Sequence, residues 1–428
     1  MNPWPQALAA RLAAWKAAGL ERRLRVAEGS GTHLTLAGRA VVSFASNDYL
    51  GLSTDPRVLA AAKAALDAHG AGATASRLIC GTKPEHAALE EELARFKRSE
   101  AALVFASGYH AALGTLVALL SASNAVVVLD RFAHACLLDG ARLSGARIRT
   151  FKHNDVGDLR RILERESLDP TPDPSPPAGR GGGEKSPLAG RGGENSKFKI
   201  QNSKLMLIAV ESLYSMDGDL APLRELHAVA REAGALLLVD EAHALGVLGP
   251  GGRGALAEVF DGALPDDVVS LGTLSKALGS QGGFLCASRP VVETVLHAGR
   301  AFLFSTGLAP ACAAAARSAL AIVERDEELR GGLLARAEAL RVALRGQGWK
   351  VLGGPGPILP ILVGAEREAL ALSERLMEAG FWVPAVRYPT VKSGQARLRL
   401  TLTAAHTPTE IEGLAWLFQS CGLKGRVS

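Results

Sequence analysis

Residues 235–246, ALLLVDEAHALG, decide the fold of this chain. The unbroken apolar run ALLLV ends at Asp240, and further polar residues follow directly. Apolar runs without alternating polar residues are typical of strands that are buried on both faces, as in parallel sheets. Because ligands bind at the carboxyl ends of such strands, Asp240 and His243 are candidate site residues.

Apolar runs of the same kind lie on either side of this stretch. They cover residues 101–105, 125–130, 205–210, 268–272 and 283–287. Helical patterns lie between them, such as 221–234, which ends at Gly234 as a helix C-cap does. This alternation of strands and helices predicts an α/β fold with a mostly parallel sheet.

Composition divides the chain into three regions. Its 428 residues exceed the usual domain size of about 150, so more than one domain is expected. For residues 1–45 the pattern predicts an arm and an amphipathic helix that docks on the body of the protein. Residues 46–295 are expected to hold the sheet of a large domain. After Leu296 a long helical stretch, a helix at 366–379 and further apolar strands predict a smaller α+β domain over 296–428.

A Pro- and Gly-rich segment interrupts the large domain. Residues 169–197 contain the near-repeat PPAGRGGGE and PLAGRGGE. Such a segment buries too little apolar surface to offset the entropy lost on ordering. We predict a disordered surface insertion over 168–203, which is tolerated because lengthening a surface loop costs little free energy. A partner-binding tail is the less favoured alternative.

Composition also excludes several function classes. The net charge is only +5 and aromatic residues make up 5%, so the clustered basic and aromatic pattern of a nucleic-acid binder is absent. Apolar runs such as Ala235–Val239 are far shorter than the roughly 20 residues of a membrane span. The five cysteines show no CxxC pairing, which argues against a zinc site and indicates a reducing compartment. Without a signal-peptide pattern at the start, a cytoplasmic protein without metal is expected.

Polar side chains follow the other predicted strands in the same way. Lys276 lies among glycines in GTLSKALGSQGG, directly after the run 268–272. Since the carboxyl ends of parallel strands meet at one edge of a sheet, these residues should lie close together. The others in this group are Ser107, Gly108, Tyr109, His110, His134, Ser215, Thr273 and Ser275.

This set of residues has a chemical logic. A lysine in such a position can form a Schiff base with an aldehyde cofactor. Pyridoxal phosphate also needs a carboxylate at its ring nitrogen, a donor near its phenolic oxygen, a cup of N–H groups for its phosphate, and often a flat residue on its ring. The candidates, in that order, are Asp240, His243, Gly108 and Tyr109 with Thr273, and His134.

The motifs in their chain order resemble the α-oxoamine synthase family of fold-type-I pyridoxal-phosphate enzymes. The resemblance spans nearly the whole chain except 169–203, and it implies an α/β fold with a mostly parallel, seven-stranded type of sheet and a smaller C-terminal domain. It also implies pyridoxal 5'-phosphate as the cofactor. The motifs are SFASNDYLGL (43–52), SRLICGTKPEHAALEEELARF (76–96), FASGYHA (105–111), LDRFAHACLLDGARLSGA (129–146), ESLYSMDGDLAPL (211–223), VDEAHALGVLGPGGRG (239–254), GTLSKALGSQGG (272–283) and FSTGLAP (304–310).

The resemblance implies a role for each matching residue. Lys276 holds the cofactor and acts as acid and base, Asp240 pairs with the pyridinium nitrogen, and His243 pairs with the phenolic oxygen. Ser305 and Thr306 reach the phosphate in the neighbouring subunit, which implies a homodimer. Further implied cofactor contacts are Gly108, Tyr109, His134, Ser215 and Thr273. His134 is also expected to be catalytic, with a hydrogen bond to the ketone that the reaction forms.

Residues 387–407 resemble most closely the branch of the family that condenses L-alanine with a pimeloyl thioester in biotin synthesis, with the acyl group on coenzyme A or on a carrier protein. The N-terminal arginine that usually contacts the acyl substrate is matched here by Glu21, so Arg22 or Arg23 is expected to replace it. The other implied substrate contacts are Asn47 and Arg399 for the amino-acid carboxylate, and Thr390.

Three other functions remain open at the level of sequence. A relative that uses glycine or serine shares the same motifs. A non-catalytic scaffold subunit is disfavoured because Lys276, Asp240 and His243 are all present. An aminotransferase or a carbon–sulfur lyase generally lacks the signatures SMDGD (215–219) and RLRLTLTAAH (397–406).

Overall fold

The computed structural model describes residues 2–17, 20–22, 24–122, 124–168 and 204–421. The strands are β1 (Ala27–Ser30), β2 (His33–Leu36), β3 (Arg39–Ser43), β4 (Ala101–Phe105), β5 (Val126–Asp130), β6 (Arg147–Phe151), β7 (Met206–Glu211), β8 (Leu236–Asp240), β9 (Val268–Thr273), β10 (Gly283–Ala287), β11 (Ile358–Gly364), β12 (Phe381–Trp382), β13 (Ala385–Val386) and β14 (Ala396–Thr401). The helices are α1 (Trp4–Ala17), α2 (Pro56–His69), α3 (Pro84–Lys97), α4 (Gly108–Leu120), α5 (Ala135–Ser144), α6 (Val156–Leu168), α7 (Leu223–Glu232), α8 (Leu256–Val259), α9 (Arg289–Ala298), α10 (Arg300–Leu303), α11 (Pro310–Arg325), α12 (Glu327–Gly346), α13 (Glu366–Glu378) and α14 (Pro408–Ser420).

The largest sheet within these residues has seven strands in the order β4-β10-β9-β8-β7-β5-β6. The pairs from β6 to β9 are parallel, whereas β10 runs antiparallel to both β9 and β4. The carboxyl ends of β5, β7, β8 and β9 therefore open on one edge. The register pairs Glu211 with Asp240 at that edge, which places two carboxylates on neighbouring strand ends.

The core lies on both faces of this sheet. Successive residues of a strand point to opposite faces, so one apolar run serves two clusters. Val239 and Ile208 belong to the cluster on one face, and Leu238 and Ala209 belong to the cluster on the other. Burial on both faces explains why these strands are apolar without interruption.

Two smaller sheets lie beside the large one, and one of them joins the first and last parts of the described chain. The antiparallel strands β1, β2 and β3 are extended by β12, where Phe381 pairs with Val42 in parallel. The strands β11, β14 and β13 form a separate antiparallel sheet. Residues after Leu296 thus contribute to both small sheets, and the predicted boundaries 1–45, 46–295 and 296–428 remain a prediction.

The structure confirms the α/β fold and each of the apolar runs as a strand. The predicted helix at 221–234 is α7, and Gly234 follows it with a left-handed φ of +63°. The predicted helix at 366–379 is α13. The long helical stretch is divided into α11 and α12 at Asp326, whose carboxylate accepts from the N–H of Leu329 at 2.9 Å and so caps α12.

Two expectations were wrong or incomplete. Strand β6, RIRTF, was not predicted because its alternating arginines belong to an edge strand that is only partly covered. Helix α1 forms, but none of its residues is buried, so the prediction that it docks on the body of its own chain is wrong. The predicted insertion 168–203 lies outside the described residues after Leu168.

The described ranges contain no helix that is both long and apolar enough to cross a membrane.

Candidate active site

A cavity of about 260 Å³ opens at the carboxyl ends of β5, β7, β8 and β9. Strand ends, the amino end of α4 and the loop after β9 all contribute to its wall. Its lining consists of Ser107, Gly108, Tyr109, His134, Cys136, Glu211, Asp240, Ala242, His243, Leu271, Gly272, Thr273, Ser275 and Lys276. The residues predicted from strand-end positions are therefore largely brought together.

Lys276 lies in the loop between β9 and β10 and begins a chain of hydrogen bonds. Its Nζ lies 2.8 Å from Nε2 of His243, and Nδ1 of His243 lies 2.5 Å from the hydroxyl of Tyr49. The Tyr49 hydroxyl donates to Oδ1 of Asn47 at 3.3 Å. If the amine donates to Nε2, then Nδ1–H donates to the Tyr49 oxygen, and every partner in the chain is satisfied.

Burial sets the protonation states of the hydrogen-bonded side chains Lys276 and His243. Burial, followed by the charge of Lys276, moves the pKa of His243 well below its usual value, so the imidazole is neutral. Burial also lowers the pKa of Lys276, although the charges of Asp240 and Glu211 oppose that change. A lysine amine with a lowered pKa is a better nucleophile and base near neutral pH.

Two carboxyl groups, those of Asp240 and Glu211, also line the cavity. Oδ1 of Asp240 accepts from the N–H of Ala242 at 2.9 Å, which fixes its orientation. Glu211 is buried and accepts from the N–H of Ser215 at 3.3 Å, while its Oε1 has no hydrogen-bond partner in the described residues. Burial and the charge of Asp240 raise the pKa of Glu211 to about 8. The cavity wall therefore holds one carboxyl oxygen without a partner among the described residues. The same carboxyl group is near enough to Lys276 to influence the pKa of its amine.

The amino end of α4 supplies the wall with N–H groups. The Ser107 hydroxyl accepts from the N–H of His110 at 3.1 Å and caps the helix. A Cβ on Gly108 would lie 3.2 Å from Cβ of Thr273, and one on Gly283 would lie 2.4 Å from Cα of Gly108. These glycines let the helix end approach the sheet, with the Thr273 and Ser275 hydroxyls 2.8 Å apart beside it. Helix N-termini with small hydroxyls are suited to phosphate.

His134 and Tyr109 form the exposed mouth of the cavity. The Nδ1 atom of His134 accepts from the N–H of Cys136 at 3.3 Å, so the ring caps α5. Burial of the ring lowers its pKa, although the charge of Asp240 opposes this. The Tyr109 hydroxyl donates to Oδ2 of Asp139 at 2.7 Å, and the residue is 43% exposed.

Comparison with known proteins identifies the family. The family Aminotransferase class I and II matches residues 39–416. The 8-amino-7-oxononanoate synthase of Methylobacterium radiotolerans is 44% identical, over 95% of this chain and 95% of that protein. The protein of the same name from Geobacter sulfurreducens is 43% identical, again over 95% of each. The chain belongs to the 8-amino-7-oxononanoate synthase family.

Solved structures agree on the fold. The serine palmitoyltransferase of Sphingomonas wittichii is 31% identical with a TM-score of 0.82, over 97% of this chain and 96% of that one. The 8-amino-7-oxononanoate synthase of Francisella tularensis is 25% identical with a TM-score of 0.69, over 90% of this chain and 98% of that one. Solved serine palmitoyltransferase structures contain pyridoxal phosphate. The fold is that of the fold-type-I transferases.

Several residues to which the resemblance assigned substrate contacts do not line the cavity. Arg399 is buried on β14 and donates through Nε to the carbonyl of Ser215 at 2.7 Å and through a terminal nitrogen to the Thr401 hydroxyl at 3.0 Å. Asn47 reaches the cavity only through Tyr49. Thr390 and Arg22 are exposed in segments outside the lining.

Ser305 and Thr306 also lie away from the cavity of their own chain. Thr306 is exposed and makes an isolated bridge with Ser76, while the Ser305 hydroxyl donates to the carbonyl of Thr306 at 3.2 Å. Ser215 connects Glu211 to Arg399 through its backbone, because its N–H donates to Glu211 and its carbonyl accepts from Arg399.

Sequence reasoning missed two residues of the 8-amino-7-oxononanoate synthase family site. Glu211 directly follows the run 205–210, so the strand-end rule that selected Asp240 could have selected it too. Tyr49 lies in the quoted motif 43–52, but no spacing rule connects it to His243, which is 194 residues later. Only a three-dimensional contact identifies Tyr49.

Proposed function

We propose that the chain is a pyridoxal-phosphate-dependent acyltransferase that condenses L-alanine with a pimeloyl thioester. The products are 8-amino-7-oxononanoate, carbon dioxide and the free thiol, as a step of biotin synthesis. The observation that carries this proposal is the amine of Lys276, with its lowered pKa, in a cavity that also holds Asp240 and Glu211. The choice of substrates is supported by the names of relatives that are 44% identical.

The donor set of the cavity fits pyridoxal phosphate. The N–H groups at the start of α4, with the Thr273 and Ser275 hydroxyls, would hold the phosphate. Asp240 would hold the ring nitrogen, and His243 would lie at the phenolic oxygen. His134, at the mouth, would cover the ring. When bound, the cofactor supplies an electron sink for negative charge at Cα of the amino acid.

Lys276 is the group that moves the substrate proton. Burial lowers the pKa of its amine, which favours the uncharged form that can accept a proton, and the neutral His243 orients the amine at 2.8 Å. We infer that the amine removes the Cα proton of L-alanine and later returns a proton to the same carbon. Tyr49 holds the tautomer of His243 that leaves Nε2 free to accept.

Arg399 and Asn47 are proposed to hold the amino-acid carboxylate. Asn47 accepts from the Tyr49 hydroxyl, and Arg399 is close enough to Tyr49 for its positive charge to offset part of the burial that raises the pKa of Tyr49 to about 12. A guanidinium suits a carboxylate because it can donate two parallel hydrogen bonds. Thr390 and Arg22 are proposed to contact the acyl substrate from their exposed segments.

A homodimer would complete the site. Ser305 and Thr306 lie outside the cavity of their own chain, in a position open to a second copy. Helix α1 presents the apolar stripe Trp4, Leu8 and Leu12 to solvent, with each side chain 49–68% exposed. An apolar stripe without cover in one chain is typical of a surface that is covered in an assembly.

A second candidate is a synthase that uses L-serine and a long acyl thioester. The similarity to the Sphingomonas wittichii serine palmitoyltransferase, with its TM-score of 0.82, favours it. The two candidates differ in the amino acid and in the acyl chain, while the cofactor and the role of Lys276 are shared.

Release of free thiol distinguishes the candidates. The cofactor-loaded protein is mixed with pimeloyl-coenzyme A, pimeloyl-carrier protein or palmitoyl-coenzyme A, each with L-alanine, glycine or L-serine, and each product is identified by mass. Thiol release with pimeloyl-coenzyme A and L-alanine, with formation of 8-amino-7-oxononanoate, is expected. Release only with L-serine and palmitoyl-coenzyme A would move the chain to the second candidate, and release only with pimeloyl-carrier protein would fix the carrier.

A further inference from the structure

His153 lies just outside the cavity and is held by two carboxylates. It follows β6, and its Nδ1 lies 2.9 Å from Oδ1 of Asp130 while its Nε2 lies 2.8 Å from Oδ2 of Asp219. An ionised carboxylate only accepts, so both ring nitrogens must donate, and an imidazole that donates from both nitrogens is positively charged. His153 is therefore an imidazolium between two anions.

The two carboxylates come from the two segments that border the cavity. Asp130 ends β5, and the segment 131–134 that follows it carries His134 to the mouth. Asp219 lies in the segment 212–222 after β7, which carries Ser215 and follows Glu211. The His153 ring therefore links two loops that both border the cavity. Asp130 precedes it by 23 residues in sequence, and Asp219 follows it by 66.

Aromatic contacts repeat the same link. The ring of Phe132 stacks on the His153 ring, with centroids 4.5 Å apart and an interplanar angle of 28°. The ring of Tyr214 meets it edge-on at 4.4 Å and 89°. Phe132 is two residues before His134, and Tyr214 is directly before Ser215. Each loop thus contributes one carboxylate and one aromatic ring to the same imidazolium.

Backbone geometry fixes the carboxylates as well. Asn154 adopts a left-handed φ of +54°, and its N–H donates to Oδ2 of Asp130 at 2.9 Å while its side chain donates to Oδ2 of Asp219 at 3.0 Å. The N–H of Phe132 donates to Oδ1 of Asp130 at 2.7 Å. A left-handed non-glycine residue is uncommon and persists where its contacts over-determine it.

We propose that His153 is a positioning residue, whose imidazolium locks the segment 131–134 to the segment 212–222 and so holds His134 in place at the mouth of the cavity. This inference rests on the proposed function in so far as His134 covers the cofactor. Backbone hydrogen bonds also hold segment 131–134, from the N–H of Arg131 to the carbonyl of Phe151 at 3.1 Å and from the N–H of Ala133 to the carbonyl of Asp130 at 3.0 Å. The His153 clamp adds the link to segment 212–222, while Arg131, Phe132 and His134 are themselves exposed.

The charge of the clamp predicts its pH range. The ionisable groups packed against the ring are Asp130, Asp219 and Tyr214. Burial lowers the pKa of His153, but the hydrogen bonds and charges of the two carboxylates have the larger effect and raise it to about 9. Burial raises the pKa of Tyr214, so its hydroxyl stays neutral. A raised histidine pKa stabilises the folded state fully below the unfolded value of about 6.5. That contribution is lost as the pH rises through about 9.

The test compares His153→Gln with His227→Gln in the cofactor-loaded protein. His227 is a matched control because it also pairs with one carboxylate, Asp267 at 3.1 Å, and meets the edge of an aromatic ring, Phe260, but does not line the cavity. Amide protection of 131–134 and 212–222 is measured from pH 7 to pH 10, with the rate of cofactor loss, kcat and KM. We expect His153→Gln to lower protection in both segments about tenfold at pH 7, as one charged hydrogen bond would.

The pH profile separates positioning from a general structural role. In the wild type, amide protection of both segments should fall between pH 8 and pH 10 to the level of His153→Gln. Protection in that variant, and wild-type protection of the segment around His227, should not change over this pH range. Faster cofactor loss and lower kcat, with little change in KM for L-alanine, should accompany it. Equal protection and cofactor retention in His153→Gln and wild type across the range would overturn the proposal, as would equal effects of both glutamine variants.

A second variant guards against misfolding. Asp219→Asn keeps the His153 ring and the Asp130 contact but removes one charge of the clamp, and it should lower the pH at which protection is lost. An unchanged profile in Asp219→Asn would contradict the clamp. Cofactor retention and amide protection are read without substrate, so a wrong assignment of the reaction would leave these outcomes interpretable.

Discussion

Two lysines lie near the carboxylates at the end of β8, but one is locked in an ion pair and the other faces a cavity. Lys97, the last residue of α3, binds Glu241, and Lys276 faces the cavity that contains Asp240. Asp240 and Glu241 are consecutive in sequence, so their side chains leave the chain in different directions. A lysine and a carboxylate therefore serve two different purposes at the end of one strand.

The Lys97 side is closed. Besides Lys97, the Glu241 carboxylate accepts from the Ser270 hydroxyl at 3.0 Å and from the N–H of Leu256 at 2.9 Å. Lys97 also donates to the carbonyl of Arg253. A Cβ on Gly254 would lie 2.3 Å from Glu241, which shows that no space is left. All partners are internal, as a purely structural ion pair requires.

The Lys276 side is open. Its amine has His243 as its hydrogen-bond partner, while Oε1 of Glu211 has none in the part of the chain that the structure describes, and the pKa of Glu211 is raised to about 8. The comparison teaches that reactivity here comes from partners left incomplete around a cavity. Burial of a lysine and a carboxylate does not by itself produce a reactive site.

The largest expected effect is on the open side. Lys276→Ala should fold normally and lower kcat by on the order of 10⁴-fold, because the amine is the proton carrier. Activity is measured by thiol release, and fold by circular dichroism and thermal unfolding. Retention of more than about a tenth of wild-type kcat in this variant, at the same cofactor loading, would contradict the assigned role.

On the closed side the effect should fall on stability. Lys97→Met leaves Glu241 buried without its countercharge, and we expect the free energy of unfolding to fall by about 3–5 kcal/mol. The matched control is Arg95→Met on the same helix, which removes a partly exposed pair with Glu324 and should change it by less than about 1 kcal/mol. Equal losses in the two variants, by denaturant unfolding, would mean that burial of the Lys97 pair has no special weight.

The smallest effect should follow from loosening the open side without breaking it. Tyr49→Phe removes the hydroxyl that holds Nδ1 of His243, and it should lower kcat about tenfold, as the loss of about 1.4 kcal/mol from one hydrogen bond would. The protonation of bound cofactor is followed by absorbance between pH 6 and pH 10. Wild-type kcat with an unchanged absorbance profile would show that other contacts orient His243.

The same contrast explains which parts the sequence could predict. Strands such as β8 are buried on both faces, so their apolar runs are visible in the sequence, and the strand-end rule then brings Asp240 and Lys276 to one edge. Lys97 and Glu241 were not predicted as a pair, because a contact across 144 residues leaves no local pattern.

Residues from outside the sheet escaped for a related reason. Tyr49 and Arg399 reach the site from segments before and after the large sheet, and only the fold brings them near His243 and Ser215. The edge strand β6 carries arginines and lacked the apolar run on which prediction depended. His153 follows that strand, so its link between two loops was hidden in the sequence as well.

The place where residues 169–203 join the described chain has a practical consequence. The chain leaves the described part after Leu168 at the end of α6 and re-enters it at Lys204, just before β7, where Nζ of Lys204 donates to the carbonyl of Glu166 at 2.7 Å. Since β7 spans six residues, this junction lies about 20 Å from the end that carries Glu211. A fluorophore, an affinity tag or a whole reporter domain can be attached there to follow the enzyme during turnover without touching its chemistry.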